Sequence, residues 1–322
     1  MAPLGRSSVE VSPIGFGGAA LGNLYSEVSE ADARATIDAA WDAGTRFFDT
    51  APHYGLGLSE RRIGAALAGR PRDEYTISTK IGRLLVPVPG GAGRQDEEGG
   101  FAVPADHRRV WDFSADGVRR SLDDSLARLG LDRVDLLLIH DPDDHWEQAV
   151  GEAYPALHEL RAQGVIGAIG AGMNQSAMLT RFVRETEIDA VLMAGRYTLL
   201  DQSAEADLLP ACAERGVSVI AAGVFNSGVL ATDDPPENAT YNYAPAATEI
   251  RERALRIGAV CRRHGVSVPA AAIAFVARRP EVATVLIGAR TPDEIRSNAV
   301  SATAEIPEAL WADLAAEGLI AA

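Results

Sequence analysis

Cysteine is nearly absent from this chain: two thiols, Cys212 and Cys261, in 322 residues. That excludes a disulfide framework, and their spacing matches no zinc site. Both fall inside predicted helices. Positive charge is also in deficit, with 30 Lys and Arg against 45 Asp and Glu, a net charge of −15. Phosphate binding needs clustered basic residues, so the deficit argues against a nucleic-acid partner and against an anionic membrane surface. Acidity of this kind serves solubility more than partner choice. No apolar run approaches the length of a membrane span. The start, MAPLGRSSVEVSP, lacks the apolar core of a signal peptide. A soluble cytoplasmic protein is expected. The six histidines, His53, His107, His140, His145, His158 and His264, show no H-E-x-x-H or similar ligand spacing, and no metal site is expected.

What the chain does have is apolar material, 47% of its residues, enough for a sizeable core. Short apolar, β-branched runs alternate with amphipathic segments for nearly the whole length. The predicted strands are Ile14–Phe16, Arg46–Asp49, Tyr75–Thr79, Val134–Ile139, Ile166–Gly170, Ala190–Met193, Val217–Ala221 and Thr284–Ile287. Such runs suit strands buried on both faces. Helices are predicted over Glu30–Ala43, Ala115–Leu129, Tyr154–Gln163, Ser176–Glu187, Glu205–Arg215 and Glu249–Arg263. Gly44, Gly130, Gly164, Gly216 and Gly265 stand just beyond helix ends, where a left-handed cap is wanted.

Eight strands with intervening helices favour a closed α/β barrel, (β/α)8, over an open sheet. Leu4 to Val11 is read as a hairpin closing the barrel bottom, and extra helices are expected at the C-terminal end. The stretch 87–109, rich in Gly, Pro and charge, reads as a loop insertion. No linker divides the chain, so 1–322 is read as one domain. The run GFGGAA, Gly15 to Ala20, fits a dinucleotide fingerprint only formally. No helix opens within its glycines, and the acid ending the next strand, Asp49, comes 32 positions after Gly17. Its glycines are read as room for a ligand or a tight loop.

Four polar residues fall at or just beyond predicted strand ends: Asp49, Tyr54, Lys80 and His140. In a parallel barrel those ends converge on the face where chemistry is built. Singly, each has an ordinary reading as a helix cap, a solvated charge or a packing ring. Together they are able to move a proton to or from a carbonyl oxygen. Tyrosine, with an ordinary pKa of about 10, is a poor base near neutrality. An ammonium about 4 Å away contributes about 4 kcal/mol at an effective dielectric near 20, enough to activate it. Asp49 would keep Lys80 charged, and neutral His140 would bind and orient the substrate oxygen.

The segments FDTAPHYGLGLSERRIG, ISTK, LGLDRVDLLLIHDP, RAQGVIGAIGAGMNQ and VLIGARTPDEIRSNA span most of the chain. Through them the sequence resembles the aldo-keto reductase superfamily. The resemblance implies a catalytic tetrad of Asp49, Tyr54, Lys80 and His140, with Tyr54 as general acid/base. It also implies a nicotinamide dinucleotide lying across the barrel mouth without a Rossmann fold. The motifs GGAALGNLY, APHYGLGLSERR, IGAGMNQ, AGRYTLLDQ and FNSGVLAT look most like the members that oxidise an aldose such as L-fucose or D-arabinose at C1 to a lactone. Pyridoxal-oxidising members are the near alternative. A general carbonyl reductase and a nucleotide-binding regulatory subunit are further readings.

Some positions depart from the wider pattern. The usual Ser-Asn pair is Met173-Asn174, so only Asn174 carries over as a carboxamide ligand. Ala194 replaces a common Gln, and the stacking aromatic is replaced by Ala222, with Phe225 or Tyr197 as substitutes. The adenosine end would lie along Ile287 to Asn298, with Gly288, Arg290, Glu294 and Asn298 as contacts. Glu294 at a position often held by a phosphate-binding Arg favours NAD, while Arg290 keeps NADP as the alternative. For a small-molecule sugar or aldehyde, His53, Trp111, Phe113 and Asp141 are the candidate contacts, with Tyr25 and Tyr241 less central. Trp111 reads equally as a sugar platform or a helix-entry staple.

Overall fold

Apolar runs become strands here because each is buried on both faces, where aliphatic side chains fill the space between layers. The computed structural model describes residues 1–242 and 244–321. An antiparallel hairpin of β1 (Ala2–Pro3) and β2 (Glu10–Val11) opens the chain. Then come β3 (Ile14–Gly17), β4 (Phe47–Asp49), β5 (Thr76–Ile81), β6 (Arg83–Pro87), β7 (His107–Trp111), β8 (Leu136–His140) and β9 (Ala168–Met173). The remaining strands are β10 (Ala190–Ala194), β11 (Ser218–Ala222), β12 (Thr240–Tyr241), β13 (Ala244–Pro245) and β14 (Val282–Gly288). Strands β3, β4, β5, β8, β9, β10, β11 and β14 pair in parallel in that order, and β14 returns to β3 to close the barrel. All eight lie where the sequence places them, shifted by at most a few residues.

The helices are α1 (Glu30–Asp42), α2 (Leu58–Leu67), α3 (Ala115–Leu129), α4 (Trp146–Gln148), α5 (Tyr154–Ala162) and α6 (Ser176–Glu185). They continue with α7 (Leu208–Arg215), α8 (Thr248–Arg263), α9 (Val268–Ala277), α10 (Pro292–Ala302) and α11 (Glu308–Ala316). Ser29, Ser114 and Thr291 each accept a backbone N–H of the first turn they precede. Gly130 and Gly216 close α3 and α7 in the left-handed conformation, at φ 66° and 65°. Helix α9 has no apolar stripe to read, because it is apolar all round and packs between β14, α8 and α10. Among the described residues no helix is long and apolar enough to cross a membrane.

Side chains alternate along each barrel strand. Phe47, Leu136, Leu138, Ala190, Leu192, Ile220 and Leu286 fill the interior, and Leu4, Val9 and Val11 of the hairpin region plug its lower end. Phe48, Ile77, Leu137, Ile139 and Val191 face outward against Ile37, Ile63, Val118, Leu157 and Phe182 of the helices. The same alternation lifts polar groups into the top layer. Asp49 stands two residues beyond Phe47, His140 two beyond Leu138, and Lys80 pairs across from Leu138.

The stretch 87–109 differs from its reading as loop alone. Its two ends belong to strands: β6 and β7 form an antiparallel ribbon from Arg83 opposite Trp111 to Pro87 opposite His107. Its Gly- and Pro-rich tip, 88–106, carries the loop signal. The pairing itself joins segments about twenty residues apart, which no local pattern reveals.

Candidate active site

The C-terminal mouth of the barrel holds a cavity of about 830 Å³. Tyr54, Lys80 and His140 all line it, and Asp49 sits buried behind Lys80. Tyr54 is carried by the turn between β4 and α2. That turn packs backbone to backbone on the 3-10 turn Gly18–Gly22: a Cβ on Gly22 would come within 2.6 Å of the Tyr54 carbonyl carbon. One on Gly18 would come within 2.8 Å of the Asp49 carbonyl oxygen. The glycines of GFGGAA therefore serve close approach, which seats Tyr54 beside the strand ends.

Lys80 is 1% exposed, yet its ammonium is fully satisfied. Nζ donates to both Asp49 carboxylate oxygens, at 2.8 and 2.7 Å, and to the Thr50 carbonyl at 2.8 Å. Ser78 donates to the same carboxylate at 2.7 Å. Burial pulls Lys80 below its ordinary pKa, while Asp49 opposes that pull. With three oxygens around it and no acceptor needed, the nitrogen is held as a cation. It lies 4.8 Å from the centroid of the Tyr54 ring. The His140 ring stands edge-on to Tyr54, 6.0 Å between centroids.

His140 is 8% exposed and held well below its ordinary pKa, first by burial and then by Arg83, Lys80 and His53. His53 is lowered to about 2 by burial, with Arg83, Arg109 and Lys80 adding to it. Both imidazoles are neutral through the physiological range. Arg83 and Arg109 escaped the sequence reading, since a ribbon of charge and glycine resembles solvated loop. The only available signal was position: Arg83 follows Lys80 by three residues, and Arg109 precedes Trp111 by two. Phe101 was missed too; it sits in the insertion tip, 6.1 Å from the Tyr54 ring and 5.2 Å from His53.

Of the expected substrate contacts, His53, Trp111 and Asp141 line the cavity, as does Tyr25. Trp111 is 41% exposed at the end of β7 with Arg83 stacked on its ring, so it is a wall of the mouth and no staple for α3. Phe113 does not reach the cavity. It is fully buried beneath Gly82, stacked behind Trp111 at 5.9 Å. Tyr241 lies away from the mouth, its hydroxyl donating to Asp201 at 3.0 Å.

Among the expected cofactor contacts, Asn174 is on the cavity wall with Met173 and Ala194. Tyr197 is not: it is buried against Phe275, centroids 5.3 Å apart, and hydrogen-bonds to Arg279. The apolar underside of the helices outcompetes the mouth for its ring. Phe225 stays half-buried on the loop after β11. Gly288 ends β14 opposite Gly17, and Asn298 is half-buried on α10. Glu294 Oε2 accepts the Arg290 backbone N–H at 2.8 Å. The Arg290 guanidinium reaches across to the Leu24 carbonyl and to Ser26 Oγ, the latter at 2.7 Å.

A closed parallel barrel thus gathers a buried Lys–Asp pair, a tyrosine and a neutral imidazole at its mouth, an arrangement able to move a proton to or from a carbonyl or alcohol oxygen. The Aldo/keto reductase family model matches residues 13–316, and the chain belongs to that family. It is 48% identical to a D-threo-aldose 1-dehydrogenase from Pseudomonas sp, over 98% of this chain and 96% of the relative. It is 40% identical to a pyridoxal 4-dehydrogenase from Microbacterium luteolum, over 98% and 97%. The solved glycerol dehydrogenase AKR11B4 from Gluconobacter oxydans superposes with a TM-score of 0.79 at 25% identity, covering 100% of this chain and 97% of that one.

Proposed function

We propose that this protein oxidises C1 of an aldose to a lactone, using NAD as the oxidant. The observation that carries the reading is the buried Lys80–Asp49 pair, with its ammonium 4.8 Å from the Tyr54 ring at the wall of an open cavity. The cation favours the phenolate of Tyr54, which takes the proton of the substrate hydroxyl. His140 donates to the same oxygen and aims it at Tyr54. Asp49 keeps Lys80 charged through the cycle. A bound nicotinamide supplies the hydride acceptor.

The residues present fit that cofactor. Asn174 offers an amide on the cavity wall, and Asn226 Oδ1, on the loop after β11, is buried without a hydrogen-bond partner. An orphaned acceptor beside the mouth suits a dinucleotide donor group. NAD is favoured over NADP because Arg290, the nearby cation, is tied to Leu24 and Ser26, while Glu294 presents a carboxylate at the start of α10. A carboxylate repels a 2′-phosphate and accepts from a ribose hydroxyl.

The sugar reading is supported by the 48% identity to the aldose dehydrogenase; the 40% identity to the pyridoxal enzyme supports pyridoxal as the second reading. The test follows reduced-nicotinamide absorbance with NAD and with NADP across L-fucose, D-arabinose, L-galactose, D-glucose and pyridoxal. Turnover on an aldose is expected, lowered about 10²- to 10⁴-fold in Tyr54→Phe with cofactor binding retained. Activity on pyridoxal alone replaces the substrate and keeps the mechanism. Turnover unchanged in Tyr54→Phe sinks the proposal, and cofactor binding without any turnover points to a regulatory role.

A further inference from the structure

Each strand of the β6–β7 ribbon brings one arginine to an imidazole of the cavity wall. Arg83 Nη1 lies 2.9 Å from His140 Nδ1, and Arg109 Nε lies 2.6 Å from His53 Nδ1. Each guanidinium is in turn gripped by a carboxylate. Asp141 accepts from Arg83 at 2.8 Å, and Asp96 accepts twice from Arg109, at 3.0 and 2.8 Å. Arg83 also stacks on Trp111, 4.2 Å to the ring centroid, and Arg109 donates to the His53 carbonyl at 3.1 Å. Their side chains are 10% and 1% exposed. Neither arginine is free to swing away.

A guanidinium has only donors. The ring nitrogen that faces it must therefore offer a lone pair, and the single proton of a neutral imidazole must sit on the other nitrogen. Turning either ring over would bring Cδ2 to the arginine and lose the contact, so Nδ1 is the acceptor and the proton sits on Nε2. We propose that Arg83 and Arg109 are positioning residues that lock His140 and His53 as neutral rings protonated on the nitrogen remote from the ribbon, so that the ribbon sets the hydrogen-bond polarity of the site. Asp141 does not compete for the His140 proton: its carboxylate is 3.5 Å from Nε2, beyond a normal hydrogen bond, and is already engaged by Arg83.

The consequence rests on the dehydrogenase reading above. Both imidazoles donate into the cavity, so the site takes a substrate with two acceptor oxygens. The reacting one lies at His140 and a second at His53, whose rings are 5.9 Å apart. The groups facing His140 are Arg83 from β6, Lys80 from β5, Tyr54 and His53 from the turn after β4, and Asp141 beyond β8, with Asp49 behind Lys80. Burial and the three cations keep both rings from charging.

The experiment uses ¹⁵N-histidine-labelled enzyme without ligands, so a failed sugar assay leaves it standing. Ring-nitrogen spectra are taken from about pH 8 to about pH 5, the range in which an ordinary histidine titrates. Signals are assigned with His53→Gln and His140→Gln. Two rings are expected to stay neutral, in the tautomer protonated on Nε2, across the whole range. In Arg83→Met the His140 signal alone should begin to titrate or mix tautomers. Its kcat/KM should acquire an acid limb, still below the ordinary histidine value because burial and Lys80 remain, with NAD affinity unchanged. Arg83→Lys, which keeps one donor and the charge, should return the single tautomer and remove that limb. The wild-type spectrum decides for His53 without any substitution, should Arg109 variants fail to fold. Rings that titrate in the wild type, an Nδ1-protonated tautomer, or an unchanged His140 signal in Arg83→Met would overturn the proposal.

Discussion

Asp49→Asn keeps the shape of the buried pair and removes one charge. In the native site Lys80 Nζ bonds both carboxylate oxygens, and the two side chains are 1% and 2% exposed. An amide offers one oxygen and turns a donor toward the ammonium. Breaking a buried pair from one side costs about 3–5 kcal/mol. For 322 residues the unfolding entropy is about 0.7 kcal/mol/K, so Tm should fall by about 4–7 °C. Without its carboxylate the lysine's folded pKa drops further below its unfolded value of about 10.4. The unfolded chain then holds the extra proton, and the deficit in stability shrinks as pH rises toward that value.

The catalytic cost follows from the distance to the tyrosine. An ammonium 4.8 Å from the Tyr54 ring contributes about 3.5 kcal/mol to its phenolate at an effective dielectric near 20. Discharging Lys80 therefore lowers kcat about 300-fold at neutral pH. The assay is kcat with saturating cofactor and sugar from pH 6 to 10, beside a thermal melt. The gap should narrow toward pH about 10, where the phenolate forms unaided. A melt lowered as expected with kcat within about threefold of the parent would refute the role of the ammonium, since the structural damage would then be present without the catalytic one.

Acid should unfold the protein through its buried imidazoles. His53 at about 2 and His140 well below its ordinary value are lower in the folded than in the unfolded chain, so their stability is complete above pH about 6.5 and lost below it. The loss is about 1.4 kcal/mol per pH unit for each ring, seen by urea titration at pH 7 and 5; equal stabilities would show that the rings are not held neutral. Gly22→Ala places a Cβ where Tyr54 backbone stands 2.6 Å away, and should cost about 1–3 kcal/mol together with at least tenfold in kcat, by melt and assay. Unchanged kcat would mean that the Tyr54 turn is not seated by the glycine contact. Cys212 and Cys261 are pushed up to about 12 and about 11 by burial. Neither should react with a thiol reagent in the native enzyme at pH 8, and both should after unfolding; native labelling would contradict their burial.

The barrel strands were legible because parallel strands buried on two faces need unbroken apolar runs, such as Leu136 to Ile139, and turn chemistry brackets each run. The gathering of Asp49, Tyr54, Lys80 and His140 at the mouth was legible through their placement at or just beyond strand ends, where a parallel barrel brings its loops together. Contacts that depend on tertiary direction were not. Tyr197 and Phe113 lie within a few residues of mouth residues, yet one turns to Phe275 and the other beneath Trp111. Helix α9 carries no stripe because it is apolar all round and seven of its residues, on more than one face, are buried. Arg83 and Arg109 look like solvent charges until the ribbon pairs them across its strands.

That pairing makes the mouth sensitive to parity and indifferent to length. In the observed register Arg83 stands opposite Trp111 and Leu85 opposite Arg109, which puts both arginines on one face of the ribbon. Insertions or deletions confined to the tip, 88–106, can drift without disturbing either imidazole so long as the strands re-pair as they are. A slip of one strand by a single residue turns its arginine to the opposite face. A longer tip would thus be free to reshape what enters the barrel, while the polarity proposed for the reacting end would turn on odd and even.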